Sequence, residues 1–420
     1  MALAPELASR VITNLLDEVD ALRAQLTAGG ASVGATDSTP AAPRAAPQGP
    51  LRRDCALRDA LLANHDTFVF DMDGVVYSGA AMIPRANAAI GALMRAGKAV
   101  VFVTNNSGKS RREVLAKMEG LGFTGLAIEQ ILNSGYALAL HLRRLSAPGS
   151  GSAFRGRKVY SLGGDGVTEE LRLAGIDVLH GGSAYSQQCL AHLDLTECAA
   201  IVPDAAVGAV VTGFNPLCSY HMLTYASMAL TSDPSVLFLA TNHDKLSPQV
   251  GKRPPPRLPP PPLCAPRARA RARGLSRHVI YRRLPPHLTH ACRAPHLAHA
   301  SLVARTNDQG NAQGHLLPGG GMNMGALEYV TGRKATVVGK PNQLMLDALF
   351  DARPELRRER TLMVGDRIDT DVLFGLGGGL TTLLVLSGCT SEAEMLAWEQ
   401  PEQRPHFYAP SIAIFCDDEE

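Results

Sequence analysis

Two carboxylates one residue apart, Asp71 and Asp73, follow directly on the apolar, β-prone run Thr67-Phe68-Val69-Phe70, and Gly74 comes next. A buried strand that ends in acid, acid and glycine puts charge at the carboxyl edge of a sheet, where open α/β sheets build their sites. Side chains alternate along an extended chain, so Asp71 and Asp73 share a face, and Gly74 lets the backbone turn away behind them. Two acids beside one pocket can divide labour: one attacks or holds a metal, the other moves a proton. The same Asp-x-Asp-Gly also suits a plain turn. A calcium loop does not fit, because Gly74-Val75-Val76-Tyr77 lacks the further acidic ligands.

Three more strand ends carry complementary chemistry. Ala99 to Val103 runs into Thr104-Asn105-Asn106-Ser107, a cluster of neutral donors suited to phosphate oxygens or, alternatively, to a capped turn into a helix near Ser110. Thr336 to Val338 runs into Gly339-Lys340-Pro341-Asn342, which offers one compact cation for a phosphate dianion or a developing negative charge. Thr361 to Val364 runs into Gly365-Asp366-Arg367-Ile368-Asp369-Thr370-Asp371, acids suited to a hard, oxygen-ligated cation such as magnesium. Asp71 and Asp366 are the carboxylates expected on it, with substrate phosphate and water completing its shell.

The elements that must position these groups alternate in type. Thr67 to Phe70, Ala99 to Val103, Thr336 to Val338, Thr361 to Val364 and Thr382 to Leu386 read as buried parallel strands, separated by helical patterns such as Ala86 to Ala96. Between them lies a second α/β block, with Lys158 to Leu162, Ala199 to Val202, Ala209 to Thr212 and Val236 to Leu239 as its strands and Tyr220 to Leu230 as a helix. The fold class is therefore α/β. Ala8, Ile12, Leu15, Val19, Leu22 and Leu26 form a short heptad seam, which suits a helix packed on the body and leaves a homodimer open. Residues 29 to 50 have linker composition.

Composition narrows the function further. A chain of 420 residues exceeds one small core, and its formal charge of +2 argues against a bulk polyanion partner. The eight cysteines form no Cys-x-x-Cys pair, which fits a reduced compartment. No run approaches the roughly 18 apolar residues of a membrane span. The N-terminus lacks a signal-peptide pattern and carries Glu6, Asp17, Glu18 and Asp20, so the cytoplasm is expected, with an organelle presequence left open.

Together, Asp71-Met72-Asp73-Gly74-Val75-Val76-Tyr77-x-Gly79, Val103-Thr104-Asn105-Asn106-Ser107, Gly339-Lys340-Pro341 and Gly365-Asp366-Arg367-x-Asp369-Thr370-Asp371 closely resemble the haloacid dehalogenase superfamily. Within it they are similar to the phosphatase branch that contains eukaryotic phosphoglycolate phosphatase, pyridoxal phosphatase and 4-nitrophenyl phosphatase. The likeness covers roughly residues 60 to 246 and 314 to 413. It implies a Rossmann-like parallel-sheet core at 60–147 and 335–413, interrupted by a large α/β cap at 148–334, with 1–59 as helix and linker and 414–420 as a tail. It further implies Asp71 as a nucleophile that forms an aspartyl-phosphate, and Asp73 as general acid and base whose backbone carbonyl touches the metal. Thr104 and Lys340 would bind the transferring phosphoryl group, Asn105 and Asn106 would orient it, Asp366 would complete the magnesium ligands, and Asp371 would support the loop. The resemblance implies a small phosphate ester as substrate, 2-phosphoglycolate first, with pyridoxal phosphate or 4-nitrophenyl phosphate as alternatives.

The chain departs from that branch in two places. Relatives commonly carry Tyr-x-Lys-Leu in the cap where this chain reads Tyr220-His221-Met222-Leu223. Lys245 to Asn307 contains no Asp or Glu and is crowded with Pro and Arg, so 248–306 is either a flexible insertion or sequence carried in by faulty splicing; the composition shift favours the second. Its arginines raise the alternative of polyanion binding, but aromatic interleaving is sparse, so a nucleic-acid partner is not expected. Its paired His-x-x-His around Cys292 matches no familiar zinc module.

Overall fold

The computed structural model describes residues 55–191, 194–245 and 317–416. The N-terminal seam, the linker and the Pro/Arg segment lie outside the described residues, as do the readings attached to them. The described strands, in chain order, are β1 (Thr67–Phe70), β2 (Tyr77–Ser78), β3 (Ala81–Met82), β4 (Ala99–Thr104), β5 (Ile131–Asn133), β6 (Lys158–Ser161), β7 (Val178–His180), β8 (Val207–Thr212), β9 (Leu237–Ala240), β10 (Thr336–Val337), β11 (Thr361–Gly365), β12 (Thr381–Val385) and β13 (Phe407–Ala409).

A six-stranded parallel sheet has the order β13-β12-β11-β1-β4-β5, which places β1 between β11 and β4. Every residue of β1 is buried, as a strand apolar after Thr67 and covered on both faces should be. Phe68, Phe70, Phe102 and Val364 pack on one face, against the helices Cys55–Asn64 and Ala86–Arg95. Val69, Val101, Val103 and Met363 face the other way, into a cluster that includes Leu138 and Leu142 of the helix Ser134–Ser146 and Leu346 and Leu349 of the helix Gln343–Ala352. Register sets the site: Phe70 lies level with Phe102 and Val364, so the residues after β1, β4 and β11 emerge side by side.

The second sheet, order β10-β9-β8-β6-β7, is also parallel. Val159, Ala209, Val211 and Leu239 on one of its faces join the same apolar cluster as the helix Ser134–Ser146. Tyr160, Val210 and Phe238 on the other face pack with Met222 and Ala226 of the helix Tyr220–Ser232 and Leu327 of the helix Gly321–Thr331. The architecture is thus a Rossmann-like parallel-sheet core with a second α/β sheet inserted after the helix Ser134–Ser146.

Two expected strands fall elsewhere. Thr336 to Val338, read with the strands of the catalytic sheet, pairs instead with β9, Thr336 against Leu239 and Val337 against Ala240. A two-residue strand carries too little pattern to select its sheet, and long-range pairing decides. Ala199 to Val202 is not a strand; it closes the helix Leu195–Ala199, whose first turn is capped by Asp194 accepting the Thr196 N–H at 2.6 Å. A four-residue apolar run cannot distinguish strand from helix by period alone. Among the described residues no helix is long and apolar enough to cross a membrane.

Candidate active site

Asp71, Asp73, Thr104, Asn105, Asn106, Lys340, Asp366 and Asp371 all line one pocket of about 520 Å³. Its floor is the carboxyl edge of the six-stranded sheet. Its far wall comes from the carboxyl ends of the second sheet: Gly164 and Asp165 after β6, Phe214 to Leu217 after β8, and Asn242 and Asp244 after β9. Lys340, arriving after β10, is therefore delivered to the acids by the second sheet rather than by the strand beside them.

Lys340 is 2% exposed and sits between two carboxylates, pairing with Asp71 and, at 2.8 Å, with Asp371. Burial works against its charge, but Asp371 and Asp71 hold its pKa above the ordinary lysine value. Asn105 fixes the backbone of the same residue from both sides. Its Oδ1 accepts the Lys340 N–H at 2.8 Å, and its Nδ2 donates to the Lys340 carbonyl at 3.0 Å. The Asn105 carbonyl in turn accepts from Ser134 and Asn242, at 2.7 Å each. The amide of Asn105 thus grips Lys340, while Asn106 next to it is exposed toward the pocket. Thr104 Oγ1 accepts the Asn106 N–H at 3.1 Å, which leaves the Thr104 hydroxyl proton available to an anion.

Asp366 and Asp371 share a loop but differ in what they do. A wide π-type turn over Ile368–Val372, a form frequent at functional sites, turns Asp371 inward and leaves Asp369 exposed, where it pairs with Arg367 at 2.7 Å. Asp371 Oδ2 accepts the N–H groups of Asp366 and Arg367, both at 3.1 Å, and Oδ1 accepts from Lys340. Asp366 Oδ2 accepts the Cys389 N–H at 2.7 Å, whereas Asp366 Oδ1 is buried without a hydrogen-bond partner among the described residues. Gly74 makes this packing feasible: its φ is +95°, and a Cβ there would run into the Asp366 carboxylate.

The residues present fit a hard divalent cation. One carboxylate oxygen each from Asp71, Asp366 and Asp371 lie within 4.8 Å of one another, and the orphaned Asp366 oxygen points to a ligand the protein does not supply. Burial pushes the Asp71 carboxyl well above the usual carboxylate range, with Lys340 opposing and Asp371 and Asp366 adding to the rise. Asp366 is pushed up to about 7 by burial and by Asp371. Burial likewise raises Asp73, against the charges of Lys117, Lys340 and Lys109. One lysine is too little positive charge for three buried acids, and a cation beside Asp71 and Asp366 would restore the balance.

Sequence reasoning did not single out Asp244 or Lys109 as site residues. Asp244 accepts from Asn105 Nδ2 at 3.2 Å, and burial raises its pKa. Its place after β9 at the edge of the Pro/Arg segment was the available signal, but nothing local marks it as facing the first motif.

Fold and site define a capped α/β hydrolase with paired aspartates, a buried lysine and a carboxylate cluster at the edge of a parallel sheet. Comparison with known proteins names the class. A family model described as Haloacid dehalogenase-like hydrolase matches residues 68–177, and a second one for HAD-like hydrolases matches residues 337–414. Phosphoglycolate phosphatase 1A, chloroplastic, of Arabidopsis thaliana is 33% identical over 359 residues, covering 85% of this chain and 78% of that protein. Chronophin of Mus musculus is 32% identical over 368 residues, covering 86% and 95%. Among solved structures, a glycerol phosphate phosphatase from Mycobacterium tuberculosis aligns with TM-score 0.56 at 22% identity, covering 85% of this chain and 78% of that one. The chain belongs to the haloacid dehalogenase-like hydrolases, and it is a phosphatase.

Proposed function

We propose that this phosphatase is a magnesium-dependent phosphomonoester hydrolase that acts on 2-phosphoglycolate through transfer of the phosphoryl group to Asp71. The observation that carries the proposal is the juxtaposition of Asp71, clamped by Lys340, with an Asp366 oxygen that has no hydrogen-bond partner among the described residues. Asp71 attacks phosphorus and the bond from phosphorus to the ester oxygen breaks; the leaving alcohol takes the proton of Asp73, whose pKa burial raises, in the direction a proton donor needs. Ionised Asp73 then takes a proton from a water whose oxygen attacks phosphorus, the bond to Asp71 breaks, and inorganic phosphate leaves with both acids restored. Thr104 and Lys340 hold the phosphoryl oxygens, Asn106 orients them, and Asn105 and Asp371 keep Lys340 in place.

Asp71, Asp366 and the Asp73 backbone carbonyl would hold magnesium, which when bound supplies positive charge against the phosphoryl oxygens. A fold neighbour solved in complex with magnesium supports that choice. The name of the plant relative supports 2-phosphoglycolate, and a pocket of about 520 Å³ walled by the second sheet suits a small ester. We keep the cytoplasm as the compartment; the word chloroplastic in that relative's name makes imaging of a fluorescent fusion the direct test, and an organelle signal would overturn it.

The test of function is phosphate release from 2-phosphoglycolate, pyridoxal phosphate, glycerol 3-phosphate and 4-nitrophenyl phosphate, with and without magnesium. The expected result is magnesium-dependent turnover, highest kcat/KM on 2-phosphoglycolate, and no turnover by Asp71→Asn. Full activity in Asp71→Asn sinks the mechanism, and a higher kcat/KM on another ester sinks the substrate.

A further inference from the structure

Three pocket-lining residues among those described carry a positive charge: Lys109, Lys340 and Arg367. Lys340 is committed to Asp71 and Asp371. Arg367 is committed to Asp369, which holds both its Nε at 3.0 Å and its Nη2 at 2.7 Å. Lys109 is exposed and makes no ion pair with any described residue.

Its position is nevertheless well determined by its backbone. The Lys109 carbonyl accepts from Asn133 Nδ2 at 2.8 Å. A Cβ added at Gly166 would lie 2.5 Å from the Lys109 carbonyl carbon and 2.7 Å from its nitrogen, so the second-sheet helix Asp165–Leu173 begins directly against the Lys109 backbone. That helix has no side-chain cap at its N-terminus, and Gly164 and Asp165 of its first turn line the pocket. Asp165, in that first turn, has its Oδ1 engaged by the Ser183 N–H at 2.8 Å at the start of the helix Gly182–Ala191, and the Lys109 charge is felt by the buried Asp73. A lysine without an ion-pair partner among the described residues and a helix start without a side-chain cap therefore lie at one side of the pocket, their backbones in contact, three residues along the chain from Asn106 on the phosphate side.

A phosphoryl group at Asp71 already has Lys340 and the cation site as its counter-charges. A second negative group on the same substrate needs another, and the six acids that line the pocket would otherwise repel it. We infer that Lys109 is a specificity-determining residue that binds a carboxylate on the leaving-group side of the substrate, so the pocket selects small phosphate monoesters with a second anionic group. This rests on the reading of 2-phosphoglycolate as substrate and gives it a structural cause.

The test compares 2-phosphoglycolate with ethyl phosphate, which has the same two-carbon skeleton and a methyl group in place of the carboxylate, in the full chain with magnesium. Unmodified protein is expected to favour 2-phosphoglycolate in kcat/KM. Lys109→Met should reduce that preference by about 10- to 100-fold, mainly through KM for 2-phosphoglycolate, the size expected when a charged hydrogen bond to substrate is lost. Lys109→Arg should restore most of it. A preference that survives in Lys109→Met overturns the assignment of Lys109 alone, as does an equal loss on both esters. An unmodified protein that turns over both esters equally well overturns the substrate reading and this inference with it.

Discussion

Replacing Lys340 by Met isolates one charge at the centre of the site. The Met stem keeps most of the lysine volume, and the two bonds from Asn105 to residue 340 involve its backbone N–H and carbonyl, so they survive the change. What is lost is the ammonium between Asp71 and Asp371, all three of them buried. Removing one partner of a buried ion pair costs about 3–5 kcal/mol. Removing a donor aimed at a developing anion lowers kcat by about 10²- to 10³-fold. The stability loss should depend on pH, and its sign follows from the acids left behind. In the unmodified protein the raised pKa of Lys340 keeps its own charge complete below the free lysine value and lost only above it, so the lysine does not itself titrate between pH 5.5 and 8. In Lys340→Met the Asp71 pKa, already raised by burial, rises further. A carboxyl with a raised folded pKa stabilises fully below its unfolded value and loses that contribution as pH climbs through the folded one. The deficit should therefore be larger at pH 8 than at pH 5.5. Urea unfolding of the metal-free protein at both pH values, beside phosphate release at pH 7.5, measures both effects. An unfolding midpoint equal to that of the unmodified protein at both pH values, or activity above a tenth, would refute the placement of Lys340 between the two acids.

Three further outcomes follow from the geometry. Metal-free protein should melt at a higher temperature at pH 6 than at pH 8, because the folded pKa of Asp366 is raised to about 7 and its stabilising share is lost as pH rises through that value; saturating magnesium should shrink the difference, and equal melting temperatures in a chelator would contradict it. Gly74→Ala forces a Cβ at φ +95° into the Asp366 carboxylate, so it should raise the magnesium concentration for half-maximal activity at least about tenfold; an unchanged magnesium titration counts against the site. Glu170→Gln should lower unfolding free energy by about 1–3 kcal/mol, since the buried Glu170 carboxylate accepts the Arg111 N–H at 2.6 Å and pairs with its Nε at 3.0 Å; an unaltered urea midpoint would show that this link between the helix Arg111–Gly120 and the helix Asp165–Leu173 is inert.

Most of the site was legible in the sequence because strand-end chemistry is local. β1, β4 and β11 are apolar runs with polar residues immediately after them, so Asp71, Asp73, Thr104 and Asp366 announce their position without knowledge of any partner. The parallel α/β class was legible for the same reason. Short edge strands such as β5, β7 and β13, each three residues long, carried no comparable pattern. β10 was recognised as a strand but assigned to the wrong sheet, since two residues bear no mark of which edge they will join.

The sequence by itself determined the kinds of group available: two spaced acids, a run of neutral donors, one lysine and a second acidic loop. Only the tertiary structure decided how they divide the work. Lys340 meets Asp71 across 269 residues and Asn105 across 235, and those distances in sequence carry no local pattern. Asp371 rather than Asp369 takes the lysine because a π-type turn buries one and exposes the other. Asn105 becomes a clasp, and Lys109 is left without an ion pair among the described residues, for the same physical reason. Residue type is set along the chain, but each buried polar atom must find its partner through space, and what remains unpartnered is settled only when the two sheets close on one pocket.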